Sequence, residues 1–230
     1  MTTSHDYAKM GCSRVTLQGH LLRCTLDALY IYNTRNEDWI NMRVVAGSVR
    51  GFNLIVPSGK NTRPTTNRIK ETLFNILQWD IAGCRFLDLF SGSGGIAIEA
   101  LSRGAKEAVM VEKDREAVRC IKQNVQHTKM DDRSRVMPMD VMQALRRLEQ
   151  AGQPFDIIFM DPPYHLDLEE RIVPYLLQSS LVKAGSLIIV ETALDTDVDY
   201  MYELGCEVER IKEYKTNRHV FLRVPSETEA

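Results

Sequence analysis

The chain has no CxxC pair, and its five cysteines (Cys12, Cys24, Cys84, Cys120 and Cys206) are odd in number. That argues against both a disulfide framework and a zinc ribbon. Its five histidines are equally scattered, so no metal site is expected. No apolar run approaches the length needed to span a bilayer: LIIV at 187–190 is among the longest. The N-terminal MTTSHDYAKMGCSRV lacks a basic start followed by an apolar core, and a cytoplasmic protein with no membrane partner is expected. Internal repeats and low-complexity tracts are missing too. What is present is ordinary for a globular protein with a real core: 230 residues, 44% hydrophobic and 26% charged.

The net charge of −2 conceals an asymmetry. Residues 43–70 carry Arg43, Arg50, Lys60, Arg63, Arg68 and Lys70 and no acid, so this segment is +6 while the remainder sums to −8. A local basic face of this kind is the electrostatic footprint of a phosphate-backbone binder, the alternative being a solvated surface.

Periodicity sets out the organisation. RVVAGSVRGFNLIV, residues 43–56, reads as two short strands about Gly47 to Gly51, a small hairpin with basic residues outward. NRIKETLFNILQ, residues 67–78, places Ile69, Leu73, Ile76 and Leu77 on one helical face, after start signals at Pro64 to Asn67. From Arg85 strands and helices alternate, which predicts an α/β fold with a mostly parallel, doubly wound sheet. CEVERIKEYKTNRHVFLRV, residues 206–224, is expected to close it as an antiparallel edge hairpin joined at Thr216-Asn217. The domains expected are an N-terminal extension over 1–41, a basic hairpin plus helix over 42–80, the α/β domain over 81–224 and a tail over 225–230. Met42 opens the first well-patterned segment, so a shorter natural product starting there is expected; an intact mass that includes Met1 would exclude it.

Two strand ends carry chemistry. After the first strand comes Asp88-Leu89-Phe90-Ser91-Gly92-Ser93-Gly94-Gly95. Glycines here let backbone approach a ligand, and the next helix offers free N–H groups. Gly92, Gly94 and Ala97 even satisfy a dinucleotide fingerprint, and Glu112, closing EAVMVE, could hydrogen-bond the ribose of a dinucleotide or of another adenosine-containing cofactor. Asp88 separates the two: its carboxylate is unhelpful beside a pyrophosphate and favourable beside the ammonium of S-adenosylmethionine. A P-loop is excluded, because no Gly-Lys-Ser/Thr follows. Asp140, after RVMPM, could accept from an adenine amino group or cap the helix DVMQALRRL, with Gln143 at the capping-box position.

The second strand end is FDIIFMDPPY. An exocyclic amino group on a base is a poor nucleophile because its lone pair is delocalised into the ring. Asp161 and the carbonyl of Pro162 offer two acceptors for its two N–H bonds, Pro163 stiffens the second, and Tyr164 can stack on an extruded base. A plain turn accounts for the prolines but not for an acid at a strand end with an aromatic three places later.

Together, D-x-F-x-G-S-G-x-x-x-x-E-A-L-S-R-G-A, V-E-x-D and F-D-x-I-F-x-D-P-P-Y resemble the class I S-adenosylmethionine-dependent methyltransferases acting on amino groups. The front segment RVVAGSVRGFNL…TRPTTNRIKETLFNIL narrows the resemblance, over residues 43–223, to bacterial 16S ribosomal RNA guanine-N2 methyltransferases of the RsmD type. It implies a Rossmann-like fold and S-adenosylmethionine as cofactor. Asp88, Phe90, Ser91, Gly92, Ser93, Gly94, Glu112 and Lys113 would bind it, with Asp140 and Val141 at adenine. Asp161, Pro162, Pro163 and Tyr164 would hold the guanine. Arg43, Arg50, Lys60, Arg63, Thr65 and Arg68 would meet ribosomal RNA, free or within a 30S particle, and the protein would act as a monomer. The chain departs from the family at Asn67, where an Asp is frequent, and Arg218 and His219 receive no role. His165, next to the motif, is expected to be an exposed loop residue. Rival functions are a DNA adenine-N6 methyltransferase, a non-catalytic RNA-binding assembly factor and an NAD-dependent oxidoreductase.

Overall fold

The computed structural model describes residues 42–57 and 67–226, all within the unit formed by Ile40–Ala230. Among the described residues five α-helices and seven strands follow one another: α1 (Asn67–Ile76), β1 (Arg85–Leu89), α2 (Gly95–Ser102), β2 (Glu107–Glu112), α3 (Arg115–His127), β3 (Ser134–Pro138), α4 (Val141–Glu149), β4 (Ile157–Met160), α5 (Leu168–Gln178), β5 (Leu187–Ala193), β6 (Glu207–Glu213) and β7 (Asn217–Arg223). The sheet runs β3-β2-β1-β4-β5-β7-β6. The first five of these strands are parallel and the β6–β7 hairpin closes one edge antiparallel, as the alternating pattern predicts. β6 presents Glu, Lys and Arg side chains at that edge, which discourages pairing with another chain.

Each central strand is buried on both faces, which its near-continuous apolar sequence requires. On one face Phe86, Met110 and Phe159 pack with Leu73, Phe74 and Leu77, with α2, and with Ile121 of α3. On the other, Leu87, Val111, Ile158 and Val190 pack under α4 and α5. The chain steps outward from β1 to β2 and β3, then returns to lay β4 on the other side of β1. This reversal opens a crevice at the carboxyl ends of β1 and β4, where open α/β sheets bind ligands.

Two sequence expectations change. Residues 42–57 make one antiparallel bridge, Arg43 with Asn53, rather than two strands. The hairpin is short: Val44 N–H donates to the Phe52 carbonyl at 2.9 Å and Leu54 N–H to the Met42 carbonyl at 2.8 Å, while residues around its turn bond to α2. The N–H groups of Val45 and Ala46 donate to the Glu99 carboxylate at 2.7 and 2.9 Å, and Ser48 N–H donates to the Ser102 carbonyl at 2.8 Å. Gly47, at φ 88°, sits so close to α2 that a Cβ would fall 2.0 Å from the Ser102 carbonyl oxygen.

The buried face of α1 is also rotated from the expected one: it is Lys70, Leu73 and Phe74 that are buried, while Ile69 and Ile76 are only partly so. Lys70 is fully buried because its Nζ lies 3.2 Å from Glu99 Oε2 and donates to the Arg43 carbonyl. Burial pulls its pKa down and Glu99 opposes that. One charge of the basic segment is therefore an internal clasp. Arg43, Arg50 and Arg68 are exposed, whereas Lys60, Arg63 and Thr65 lie outside the described residues. Cys84, Cys120 and Cys206 are free thiols, and burial pushes that of Cys84 up to about 12.

Candidate functional site

A cavity of about 470 Å³ opens at the crevice between β1 and β4, within the size range of small-molecule sites. The loops leaving both strands hold backbone in the left-handed region at residues with side chains: Phe90 (φ 65°) after β1, and His165 (φ 61°) and Asp167 (φ 48°) after β4. Such strain persists where the surrounding structure over-determines it, and it clusters at ligand sites.

The β1 loop forms the first wall. Asp88 is buried, and its carboxylate accepts from the N–H of Ala97 in the first turn of α2 at 3.3 Å. An acid therefore occupies the helix N-terminus at which a dinucleotide would place its pyrophosphate. Burial, reinforced by the nearby charge of Glu112 and opposed by the Ala97 N–H, pushes the Asp88 carboxyl up to about 8. Phe90, Ser91, Gly92 and Ser93 face the cavity, and Gly92, at φ 56°, has open space where a Cβ would stand. Gly94 does not line the cavity. It precedes α2 at φ 77°, and a Cβ there would approach Met110 Sδ at 3.2 Å, so its glycine answers to packing behind the loop.

Glu112 ends β2, where it accepts from Gly92 N–H at 2.9 Å and Asp114 N–H at 2.8 Å, tying the glycine loop to the next strand. Lys113 follows it at the rim, exposed. Asp140 caps α4 by accepting from Met142 N–H at 2.9 Å while lining the cavity with Val141, so the capping and ligand-facing positions coincide.

The opposite wall comes from β4 and its neighbours. Asp161, Pro162, Pro163 and Tyr164 all line the cavity, with Pro162 buried and Tyr164 exposed. Since Leu89 pairs with Met160 in register, Asp161 leaves the sheet beside Phe90. The Asp161 carboxyl is held well above the ordinary carboxylate range by burial and by the charges of Glu191 and Asp88. His165 is exposed, as expected.

Glu191 and Asn217 escaped the sequence reading, although both line the cavity. Glu191 stands in the wholly buried strand β5, where an acid needs partners, and that is the signal that could have exposed it. It accepts from the Tyr164 hydroxyl at 3.2 Å and lies 3.0 Å from His219 Nε2. His219, which the motifs leave without a role, is thus buried behind the site rather than in it. Met42 reaches the cavity from the front segment, its sulfur accepting from the Ser93 hydroxyl at 3.1 Å.

Buried acids crowd one floor, amide-bound acids frame one rim, and apolar side chains such as Val111, Phe159 and Leu168 line the walls between them. That set of acceptors fits a ligand with a cationic end and polar hydroxyls. It does not fit a polyanion. Among the described residues no group of three or more His, Cys, Asp or Glu side chains is arranged to hold a metal ion, and no helix is long and apolar enough to cross a membrane.

Comparison with known proteins gives the site its relatives. Residues 42–223 match the family described as conserved hypothetical protein 95. Ribosomal RNA small subunit methyltransferase D of Haemophilus influenzae is 38% identical over 156 residues, spanning 67% of this chain and 80% of that protein. A solved structure of a hypothetical protein from Thermus thermophilus superposes with a TM-score of 0.68 at 35% identity, covering 79% of this chain and 99% of its own. The fold alone is shared, at 16% identity and a TM-score of 0.55, with an RNA methyltransferase from Salinibacter ruber in complex with S-adenosyl-L-homocysteine, over 72% of this chain and 96% of that one.

Proposed function

The chain belongs to the family described as conserved hypothetical protein 95, that of the RsmD-type ribosomal RNA methyltransferases, and from that premise we propose that it methylates the N2 amine of a guanine in small-subunit ribosomal RNA. S-adenosylmethionine supplies the electrophilic methyl group. The observation that carries the reading is the meeting of two acids, buried Asp88 and half-buried Asp161, at the ends of adjacent strands, one suited to a cationic methyl donor and the other to an amine.

Asp88 faces the ammonium of the donor, Glu112 the ribose hydroxyls and Asp140 the adenine amino group. Asp161 and the Pro162 carbonyl each accept one N–H of the guanine amine. This draws the nitrogen out of conjugation and turns its lone pair toward the methyl group. Attack by the lone pair would break the methyl–sulfur bond and release S-adenosylhomocysteine, and the cationic nitrogen would readily pass a proton to Asp161, which need not be a strong base. Pro163 restricts the backbone that presents the carbonyl. Tyr164, anchored through its hydroxyl to Glu191, offers a ring against the extruded base. Arg43, Arg50 and Arg68, with Lys60, Arg63 and Thr65, contact RNA phosphates, so affinity should fall with salt by a log–log slope of about 0.7 to 0.9 per phosphate neutralised. The protein acts as a monomer.

The test is methylation of purified small-subunit ribosomal RNA and of 30S particles with isotopically labelled S-adenosylmethionine, followed by nucleoside mass spectrometry. Labelled N2-methylguanosine is expected. Labelled N6-methyladenosine, or RNA binding without transfer, would overturn the reading in favour of an adenine enzyme or an assembly factor.

A further inference from the structure

The antiparallel pairing of β5 with β7 sets Glu191 opposite His219 and Ala193 opposite Asn217, which brings three polar side chains together beneath the cavity. All three are buried: Glu191 is 4% exposed, Asn217 4% and His219 0%. Asn217 Nδ2 donates to Glu191 Oε1, which also accepts from the Tyr164 hydroxyl. His219 Nε2 meets Glu191 Oε2 at 3.0 Å, and its Nδ1 meets the Tyr214 hydroxyl at 3.2 Å. A carboxylate only accepts, so Nε2 carries a proton.

One atom of this cluster is left over. Asn217 Oδ1 is buried and has no hydrogen-bond partner, while Asn217 itself lines the cavity. The opposite rotation of the amide would turn its oxygen onto the Glu191 carboxylate, so that charge fixes Oδ1 as the unpartnered end. Buried acceptors are normally satisfied; this one lies just behind the cavity wall, closed to solvent, so a ligand donor reaches it only with a small shift of the amide toward the cavity.

Resting on the guanine reading above, we propose that Asn217 reads the target base, its amide oxygen accepting the ring N1–H while Asp161 and Pro162 take the exocyclic amine. Guanine presents two adjacent kinds of donor on its Watson–Crick edge, N1–H and the N2 amine. Adenine and cytosine each place a ring acceptor beside their amine. A wall of acceptors thus matches guanine and sets lone pair against lone pair for the other two. This supplies the choice of base that Asp-Pro-Pro-Tyr, which only handles an amine, does not. Glu191 is a positioning residue, holding the Asn217 amide and the Tyr164 hydroxyl in place.

The test uses a small-subunit ribosomal RNA substrate whose methylated guanine has been located, and the same RNA with 2-aminopurine at that position. 2-Aminopurine keeps the N2 amine but has an acceptor at N1. The wild-type protein should favour guanine in kcat/KM by about 100-fold or more, as sites built to bond a donor do. Asn217→Ala should lower kcat/KM for guanine at least about tenfold and leave 2-aminopurine within about twofold, as expected for loss of one buried hydrogen bond. Wild-type rates within twofold of each other on the two RNAs would overturn the proposal, whether or not the variant folds. So would an Asn217→Ala protein that still binds S-adenosylhomocysteine and loses the same factor on both RNAs. Transfer to adenine by the wild-type protein would instead sink the guanine reading itself, and it shows in the identity of the methylated nucleoside before any ratio is measured.

Discussion

At the rim of the cavity the carboxylates of Glu112 and Asp140 hold backbone N–H groups of the segments that follow β1, β2 and β3. On its floor buried Asp88 and Glu191 stand close enough to half-buried Asp161 for their charges to oppose its ionisation. The rim acids are satisfied before any ligand arrives, and they shape loops. Of the floor acids, Asp88 and Asp161 are carried away from their ordinary ionisation, which is a cost in folding that a bound cation relieves. One cavity therefore has a half that organises and a half that waits for charge.

The sharpest way to break this contrast is at Asp161. Asp161→Ala should lower single-turnover methyl transfer by a factor of about 10²–10³ while S-adenosylhomocysteine binding survives, read by labelled methyl incorporation and calorimetry. If the variant transferred at an undiminished rate, the floor would be only structural.

Asp88 gives a pH signature. Its carboxyl, raised to about 8, holds a proton at neutral pH. A cationic ligand favours the deprotonated form, so binding expels a proton and affinity climbs with pH, levelling above about 8. Calorimetry of S-adenosylmethionine in buffers of different ionisation enthalpy should show proton release at neutral pH, and Asp88→Asn should diminish it. Affinity that falls as pH rises toward 8 would contradict the assignment.

Changes at the rim should be smaller. Glu112→Ala frees two loop N–H groups and removes a ribose acceptor, and a loss of about tenfold in S-adenosylmethionine affinity is expected by equilibrium titration. Asp140→Ala removes a helix cap and an adenine acceptor, and should cost about 1 kcal/mol in a denaturant melt and a few-fold in S-adenosylmethionine affinity by the same titration.

How much of this was legible in the sequence follows from where each residue's partners lie. Asp88, Glu112, Asp140 and Asp161 each end a parallel strand, and strand ends in an alternating α/β chain converge on one edge whatever the details of packing. They could be read one strand at a time. Glu191 and Asn217 meet only because β7 runs antiparallel to β5 in one register, a pairing that no local pattern announces. Lys70 misled for a related reason: it stands in a basic run, but Glu99, which neutralises it, lies on the helix after the glycine loop. The front segment reads as a hairpin of two strands, yet it pairs only over 42–44 and 52–54, because Glu99 and Ser102 of α2 take the N–H groups of Val45, Ala46 and Ser48 nearer its turn. Local propensity lost there to a tertiary partner.

The central claim, that this cavity joins a methyl donor to one guanine of the small ribosomal subunit, is tested most directly by mass mapping of ribosomal RNA from cells with and without the protein. A single N2-methylguanine in the small-subunit RNA should disappear with the protein and return with the wild-type gene but not with Asp161→Ala. An unchanged methylguanine map, or loss of a methyladenine in its place, would contradict it.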